Sequence, residues 1–157
     1  MSTYRKVTND LNFVQREREI RKFWEDHHIF EKSMDPSKKQ STFTFYDGPP
    51  TANGKPHIGH VLTRVIKDMI PRYQTMKGNF VPRKAGWDTH GLPVEIGVEK
   101  KLGLDGKDQI EEYGIQPFVE QCKESVWEYK GMWEDFSGAV GFWADMDHPY
   151  ITYDNNF

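Results

Sequence analysis

The sequence predicts an α/β fold, and three observations within one stretch carry the prediction. Thr42-Phe-Thr-Phe-Tyr46 alternates β-branched and aromatic residues, as a strand does. The next eleven residues, Asp47-Gly-Pro-Pro-Thr-Ala-Asn-Gly-Lys-Pro-His57, hold two glycines and three prolines, so they are neither helix nor strand. From His57 the apolar residues return at helical spacing, and a second short strand follows at 79–84. Strand, rigid loop, helix and strand in that order open a βαβ unit.

The remaining elements follow in chain order. Residues 10–32 predict one amphipathic helix, with Phe13, Ile20, Phe23, Trp24 and Phe30 near its period and charges on the other faces. His27-His28 closes that helix, where cations complement its dipole. Residues 33–41 are polar, contain Pro36 and read as a loop, with Lys38-Lys39 a short exposed charge run. After the first strand, Ile58, Val61, Leu62, Val65, Ile66 and Met69 predict a helix over 57–76, which Pro71 is expected to interrupt. Lys77-Gly78 is a turn, residues 85–93 a loop, and a helix follows over about 94–102. Residues 116–136 read as one further long helix, acidic and aromatic, and 141–153 as strand or loop. The expected division is a helical segment over 1–40 and an α/β unit over 41–157.

Composition narrows the function classes. The 157 residues hold one ordinary domain, yet only 36% are hydrophobic while 22 are aromatic. Either aromatic rings carry the core, or part of the core lies elsewhere. No run approaches the ~18 apolar residues of a membrane span, and residues 1–6 lead into polar sequence rather than a signal peptide. Cys122 is the single cysteine, too few for an internal disulfide or a Cys-rich zinc site. A reducing, cytoplasmic setting is expected. Charge is uneven, +6 over residues 1–104 and −9 over 105–157, and neither part is basic enough to predict nucleic-acid binding by electrostatics alone. The acidic stretch reads as a solvated face, and its Trp and Phe residues as packing.

The junction at His57 is the candidate site. A loop leaving a strand's carboxyl end and feeding a helix is where α/β folds hold phosphate, because the first helical N–H groups lack internal acceptors. His57 and His60, three residues apart, share one face of the first turn and can both donate to phosphate oxygens. Gly59 between them costs the helix ~1 kcal/mol relative to Ala, which suggests that something approaches its backbone closely. Taken alone, His-x-x-His also reads as two ordinary surface histidines. His57, His60, Asp88 and His90 together also read as a metal-ligand set. Trp87 reads as packing beneath the loop, His90 as structural as readily as functional, and Thr51 and Asn53 as bonding the loop's own backbone.

His57-Ile-Gly-His60 resembles the HIGH signature of the class I aminoacyl-tRNA synthetases. The block Asp47-Gly-Pro-Pro-Thr-Ala-Asn-Gly-Lys-Pro ahead of it and Gly86-Trp-Asp-Thr-His-Gly-Leu-Pro-Val-Glu95 behind it resemble the isoleucine-specific members. The resemblance covers essentially the whole chain. It implies the first half of a Rossmann-like nucleotide-binding domain, preceded by a helical segment and ending before an editing insertion. It implies ATP-dependent activation of L-isoleucine and transfer to tRNA(Ile), with Mg2+ accompanying ATP and zinc only in a full-length parent. In this resemblance His57, Ile58, Gly59 and His60 bind ATP, with His57 and His60 catalytic and Gly59 letting adenine pack on the backbone. Gly48 and Pro49 form part of the isoleucine pocket, and Asp88 pairs with the α-ammonium. The lysine-rich KMSKS loop of the family is absent from the sequence, so these residues alone are expected to be inactive. A small nucleotidyltransferase using the HxGH turn by itself, or a non-catalytic docking module, remain the alternatives.

Overall fold

The computed structural model describes residues 9, 11–38 and 41–156. Residues 1–6, Asp10 at the head of the first predicted helix and the side chains of Lys38-Lys39 lie outside the described residues. Among the described residues are three strands in one parallel sheet, with helices as the crossovers.

The first predicted helix is two. Helix α1 spans Phe13–Asp26, with the Asn12 side chain accepting from the Gln15 N–H, and α2 spans Ile29–Ser33. Between them His28 takes a left-handed φ of 51°, and the His27 ring donates from Nδ1 to the Phe23 carbonyl, 2.9 Å away. The histidine pair therefore ends α1 by satisfying one of its orphan carbonyls. No residue of α1 is buried, and its main anchor is Trp24, edge-on to Trp143 at 5.0 Å.

Strand β1 is Phe45–Tyr46, and β2 is Arg83–Trp87, with Phe45 opposite Arg83 and Tyr46 opposite Lys84. Helix α3, Ile58–Met76, joins them. Pro71 does not interrupt α3: it lies in the helix's last two turns, its buried ring packs, and its carbonyl accepts from the Thr75 hydroxyl at 2.9 Å. Packing of that ring offsets the one backbone bond a proline removes.

The second strand starts late and runs into the predicted loop. Phe80 makes only an isolated bridge to Thr42, whereas Ala85, Gly86 and Trp87 are buried within β2. Gly86 looks like a turn residue but serves a different purpose. A Cβ there would stand 2.2 Å from Cζ of Tyr150, so the missing side chain admits that ring.

Helix α4, Leu92–Leu102, matches its prediction within two residues and stops at Gly103, whose φ of 70° is the left-handed C-cap. A short helix that was not expected, α5, Lys107–Tyr113, comes next, and the single long helix expected over 116–136 is split into α6, Ile115–Ser125, and α7, Lys130–Ala139. The break at 126–129 lets the Tyr129 N–H reach the Ala52 carbonyl at 3.2 Å. A tertiary bond to the Pro/Gly loop outweighs local helix propensity.

The stretch read as strand or loop supplies β3, Asp145–Ile151, parallel to β2, so the sheet order is β1-β2-β3. Lys84 pairs with Asp145 but Gly86 with Tyr150, so β3 carries extra residues, Pro149 among them, in a bulge between the two pairs. Odd-numbered β2 residues face the helices. Arg83 donates to Thr75 of α3, Ala85 packs on Phe142 and Ala144, and Trp87 packs on Ala52 and Trp133. Truncating a ring packed like Trp87 ordinarily costs about 3–5 kcal/mol. Tyr46, Lys84 and Gly86 take the opposite face. Ile58, Leu62, Val65, Ile66, Met69, Tyr73 and Met76 leave α3 with an exposed apolar stripe.

Candidate functional site

The loop 47–57 leaves β1 at the carboxyl edge of the sheet and is pinned along its length. The Asp47 N–H donates to the Lys84 carbonyl at 2.8 Å, and the Asp88 N–H donates to the Pro50 carbonyl at 3.0 Å. Thr51 and Asp88 form an isolated parallel bridge. The Asn53 amide reaches the Pro93 carbonyl at 3.4 Å rather than its own loop. The Trp133 indole N–H donates to the Gly54 carbonyl at 2.8 Å. Pro50 and Thr51 thus run alongside Asp88, with Gly48 and Pro49 just before them in the chain.

At the head of α3 the two histidines cap the helix reciprocally. His57 is the N-cap, extended at φ −138° and ψ 172°. Its Nδ1 accepts from the Gly59 N–H at 3.2 Å, and Nδ1 of His60 accepts from the His57 N–H at 3.0 Å. Backbone N–H groups can only donate, so both Nδ1 atoms carry lone pairs, and each neutral ring keeps its proton on Nε2. The rings lie tilted against each other with centroids 3.8 Å apart, and His60 and Trp133 meet edge-on at 4.7 Å. Burial, helped by His57, Arg64 and Lys67, holds the His60 imidazolium below its ordinary range, which favours this neutral form. Two amides at the helix start are therefore occupied by the histidines themselves, and Nε2–H is the donor each ring retains. Gly59 has a local reason as well: a Cβ would stand 3.0 and 3.1 Å from the His57 ring.

Three charged residues that the sequence reading did not single out tie the start of the loop to α3. Asp47 is 2% exposed, receives the Lys67 ammonium and pairs with Nη1 of Arg64 at 3.8 Å. Lys67 also donates to the Gly48 carbonyl at 3.1 Å, and the Tyr150 hydroxyl donates to the Asp47 carbonyl. Arg64 is 3% exposed, with its guanidinium 4.5 Å from the centre of Phe142 and 5.4 Å from that of Trp133. Burial pushes its proton affinity down and Asp47 opposes that shift. The only local signal was the i,i+3 spacing of two cations on a helix that follows an aspartate.

Other predicted positions separate from this centre. Trp87 packs beneath the loop, as expected, at 1% exposure. His90 is exposed and bonds through Nδ1 to the Thr152 hydroxyl at 2.6 Å. His57, His60, Asp88 and His90 are not assembled as ligands, because no three His, Cys, Asp or Glu among the described residues are grouped to hold a metal. Beyond Thr89 a groove of about 500 Å³ opens between α4, α5 and α6, lined by Val94, Ile110, Phe118 and Cys122. Burial and then Glu95 and Glu99 push the Cys122 thiol up, so it is no ready nucleophile. No helix among the described residues is long and apolar enough to cross a membrane.

This arrangement has known counterparts. A family model described as tRNA synthetases class I (I, L, M and V) matches residues 19–157. The isoleucine--tRNA ligase of Clostridium kluyveri is 61% identical over 154 residues, 98% of this chain and 15% of that protein. That of Clostridium novyi is 60% identical with the same coverage, and isoleucine--tRNA ligase 2 of Bacillus anthracis is 55% identical over 153 residues. The fold is shared with LeuRS of Agrobacterium radiobacter K84, solved in a ternary complex with tRNA and LeuAMS. That similarity has a TM-score of 0.62 at 23% identity and covers 92% of this chain and 16% of that one. The chain thus spans about 15% of the length of the curated relatives it matches.

Proposed function

The chain belongs to the class I tRNA synthetases of the I, L, M and V group, and from that premise we propose that it is the N-terminal portion of an isoleucine--tRNA ligase. Residues 1–40, helical at Phe13–Asp26 and Ile29–Ser33, act as the segment ahead of the catalytic domain, and 41–157 as the first half of that Rossmann-like domain. The reaction is ATP-dependent: a carboxylate oxygen of L-isoleucine bonds to the α-phosphorus, and the bond to pyrophosphate breaks. Isoleucyl-adenylate then passes its acyl group to a terminal hydroxyl of tRNA(Ile), and AMP leaves. Mg2+ carried on the ATP phosphates supplies charge neutralisation there; zinc, if the whole enzyme uses it, takes ligands from other residues.

The observation that carries this reading is the reciprocal cap at the head of α3. It leaves His57 and His60 as two neutral Nε2–H donors side by side, suited to phosphate oxygens whose charge grows as pyrophosphate departs. Ile58 and Gly59 lie exposed in the same turn, where adenine reaches the backbone. Gly48 and Pro49 supply part of the isoleucine pocket, and Asp88 supplies the carboxylate for the α-ammonium.

Isoleucine-dependent exchange of pyrophosphate into ATP by the full-length enzyme tests the reading. His60→Ala is expected to slow adenylate formation roughly 10²-fold while isoleucine binding changes far less. Equal losses in both would contradict the assigned role. The 157 residues alone, lacking the lysine-rich loop, are expected to support no exchange, and robust exchange would overturn that.

A further inference from the structure

We propose that Lys67 is a positioning residue for the amino-acid pocket, acting through the Gly48 carbonyl. The inference rests on the reading of Gly48, Pro49 and Asp88 as that pocket. Gly48 has no side chain and is exposed, and a Cβ built on it would meet nothing within 4 Å. No side chain at this position can therefore help to set the direction of its peptide. Lys67 does, donating to the Gly48 carbonyl at 3.1 Å while bound to the buried Asp47 carboxylate.

The orientation set there travels. Pro49 and Pro50 have φ locked by their rings, so the segment after Gly48 moves as a stiff unit. Its end, the Pro50 carbonyl, receives the Asp88 N–H at 3.0 Å. The ammonium thus fixes the Gly48 end of a wall whose Pro50 end is bonded to Asp88. Asp47 is itself fixed from three other directions, by Arg64, by the Tyr150 hydroxyl and by its own N–H on Lys84. The clamp has a rigid base, and Lys67 is its movable arm, with a side chain 29% exposed. The histidines at the head of α3 are held by hydrogen bonds that do not pass through the clamp, so Lys67 reaches His60 through its charge and not through the geometry of the cap.

The test is pyrophosphate exchange by the full-length enzyme carrying Lys67→Met. KM for isoleucine is expected to rise roughly 10- to 100-fold, as for loss of a charge-assisted hydrogen bond, while KM for ATP stays within about threefold. Lys67→Arg, which keeps a cation on Asp47, is expected to bring KM for isoleucine back toward the wild type. Should the methionine variant fail to fold, Lys67→Gln is read by the same ratio of the two KM values. Unchanged KM for isoleucine, or equal rises in both KM values, overturns the positioning role. Wild-type enzyme without isoleucine-dependent exchange would instead overturn the pocket reading itself.

Discussion

Helix α3 carries two ionic clusters of the same stoichiometry. Near its start Arg64 and Lys67 meet Asp47, and one turn further Asp68 accepts from Arg72 and pairs with Arg83 at 3.9 Å. Each has one carboxylate and two cations, and each lies between the helix and the sheet. In the first the carboxylate belongs to the loop and the cations to the helix. In the second the carboxylate belongs to the helix, and it also accepts the Trp143 N–H at 3.1 Å, while Arg72 donates to the Gly141 carbonyl. The first therefore shapes an irregular segment that has no ladder of its own. The second joins α3 to β2 and to the residues leading into β3. Placement of the carboxylate, rather than the charge count, decides whether a cluster tunes a site or holds a fold.

Breaking the second cluster gives the largest expected effect. Asp68→Ala leaves Arg83, whose side chain is fully buried, without a counter-charge, and the Trp143 N–H without an acceptor. Loss of one partner of such a pair costs about 3–5 kcal/mol. Burial already presses the Arg83 guanidinium down to about 10, with Asp68 opposing the shift and Arg72 adding to it. Thermal unfolding followed by far-UV circular dichroism should show the loss, and Asp68→Leu with Arg83→Met should recover much of it. A variant that melts like the wild type, or in which KM for isoleucine shifts and stability does not, would erase the contrast between the clusters.

A smaller effect probes the first cluster from the far side of the sheet. Gly86→Ala forces its Cβ against the Tyr150 ring and so displaces the hydroxyl that holds the Asp47 carbonyl. Overpacking of this kind costs about 1–3 kcal/mol. Tyr150→Ala in the same chain removes the clash, so urea unfolding of the double variant should reveal coupling of at least ~0.5 kcal/mol. Strict additivity would mean that the ring and the glycine do not depend on each other.

The contrast also explains how much was legible in advance. The strand–loop–helix order, the histidine pair and the rigid loop between them rest on short-range signals: alternation, proline and glycine density, and i,i+3 spacing. Elements set by distant partners were misplaced. The break between α6 and α7 depends on Ala52 and Gly54, residues far back in the chain, which bond to Tyr129 and Trp133. The reach of β2 to Trp87 depends on Tyr150, the ring that makes a glycine necessary in a strand. Arg64, Lys67 and Asp68 look like the polar side of an amphipathic helix, because a buried charge and a solvated one carry the same letter. Which one each is follows from what the sheet brings opposite it.

The smallest predicted effect separates the clusters by pH. His60 binds a proton less readily when folded, because of burial first, then of His57, Arg64 and Lys67. Protonation would also put a hydrogen on Nδ1, where the His57 N–H already donates. A base whose affinity is lowered on folding contributes stability that is fully present above its unfolded value of 6.5 and lost as pH falls below it. Comparing urea midpoints at about pH 7.5 and about pH 5.5, the wild type should lose stability that His60→Asn, with an amide oxygen in place of Nδ1, does not lose. Lys67→Met should narrow the same loss, since its ammonium is one cause of the shift. Arg72→Met, in the second cluster, should leave it unchanged, because Arg72 is not among the groups that act on His60. Equal pH slopes in wild type and His60→Asn would mean that the cap tolerates an imidazolium. The two neutral donors proposed for phosphate would then lose their structural basis.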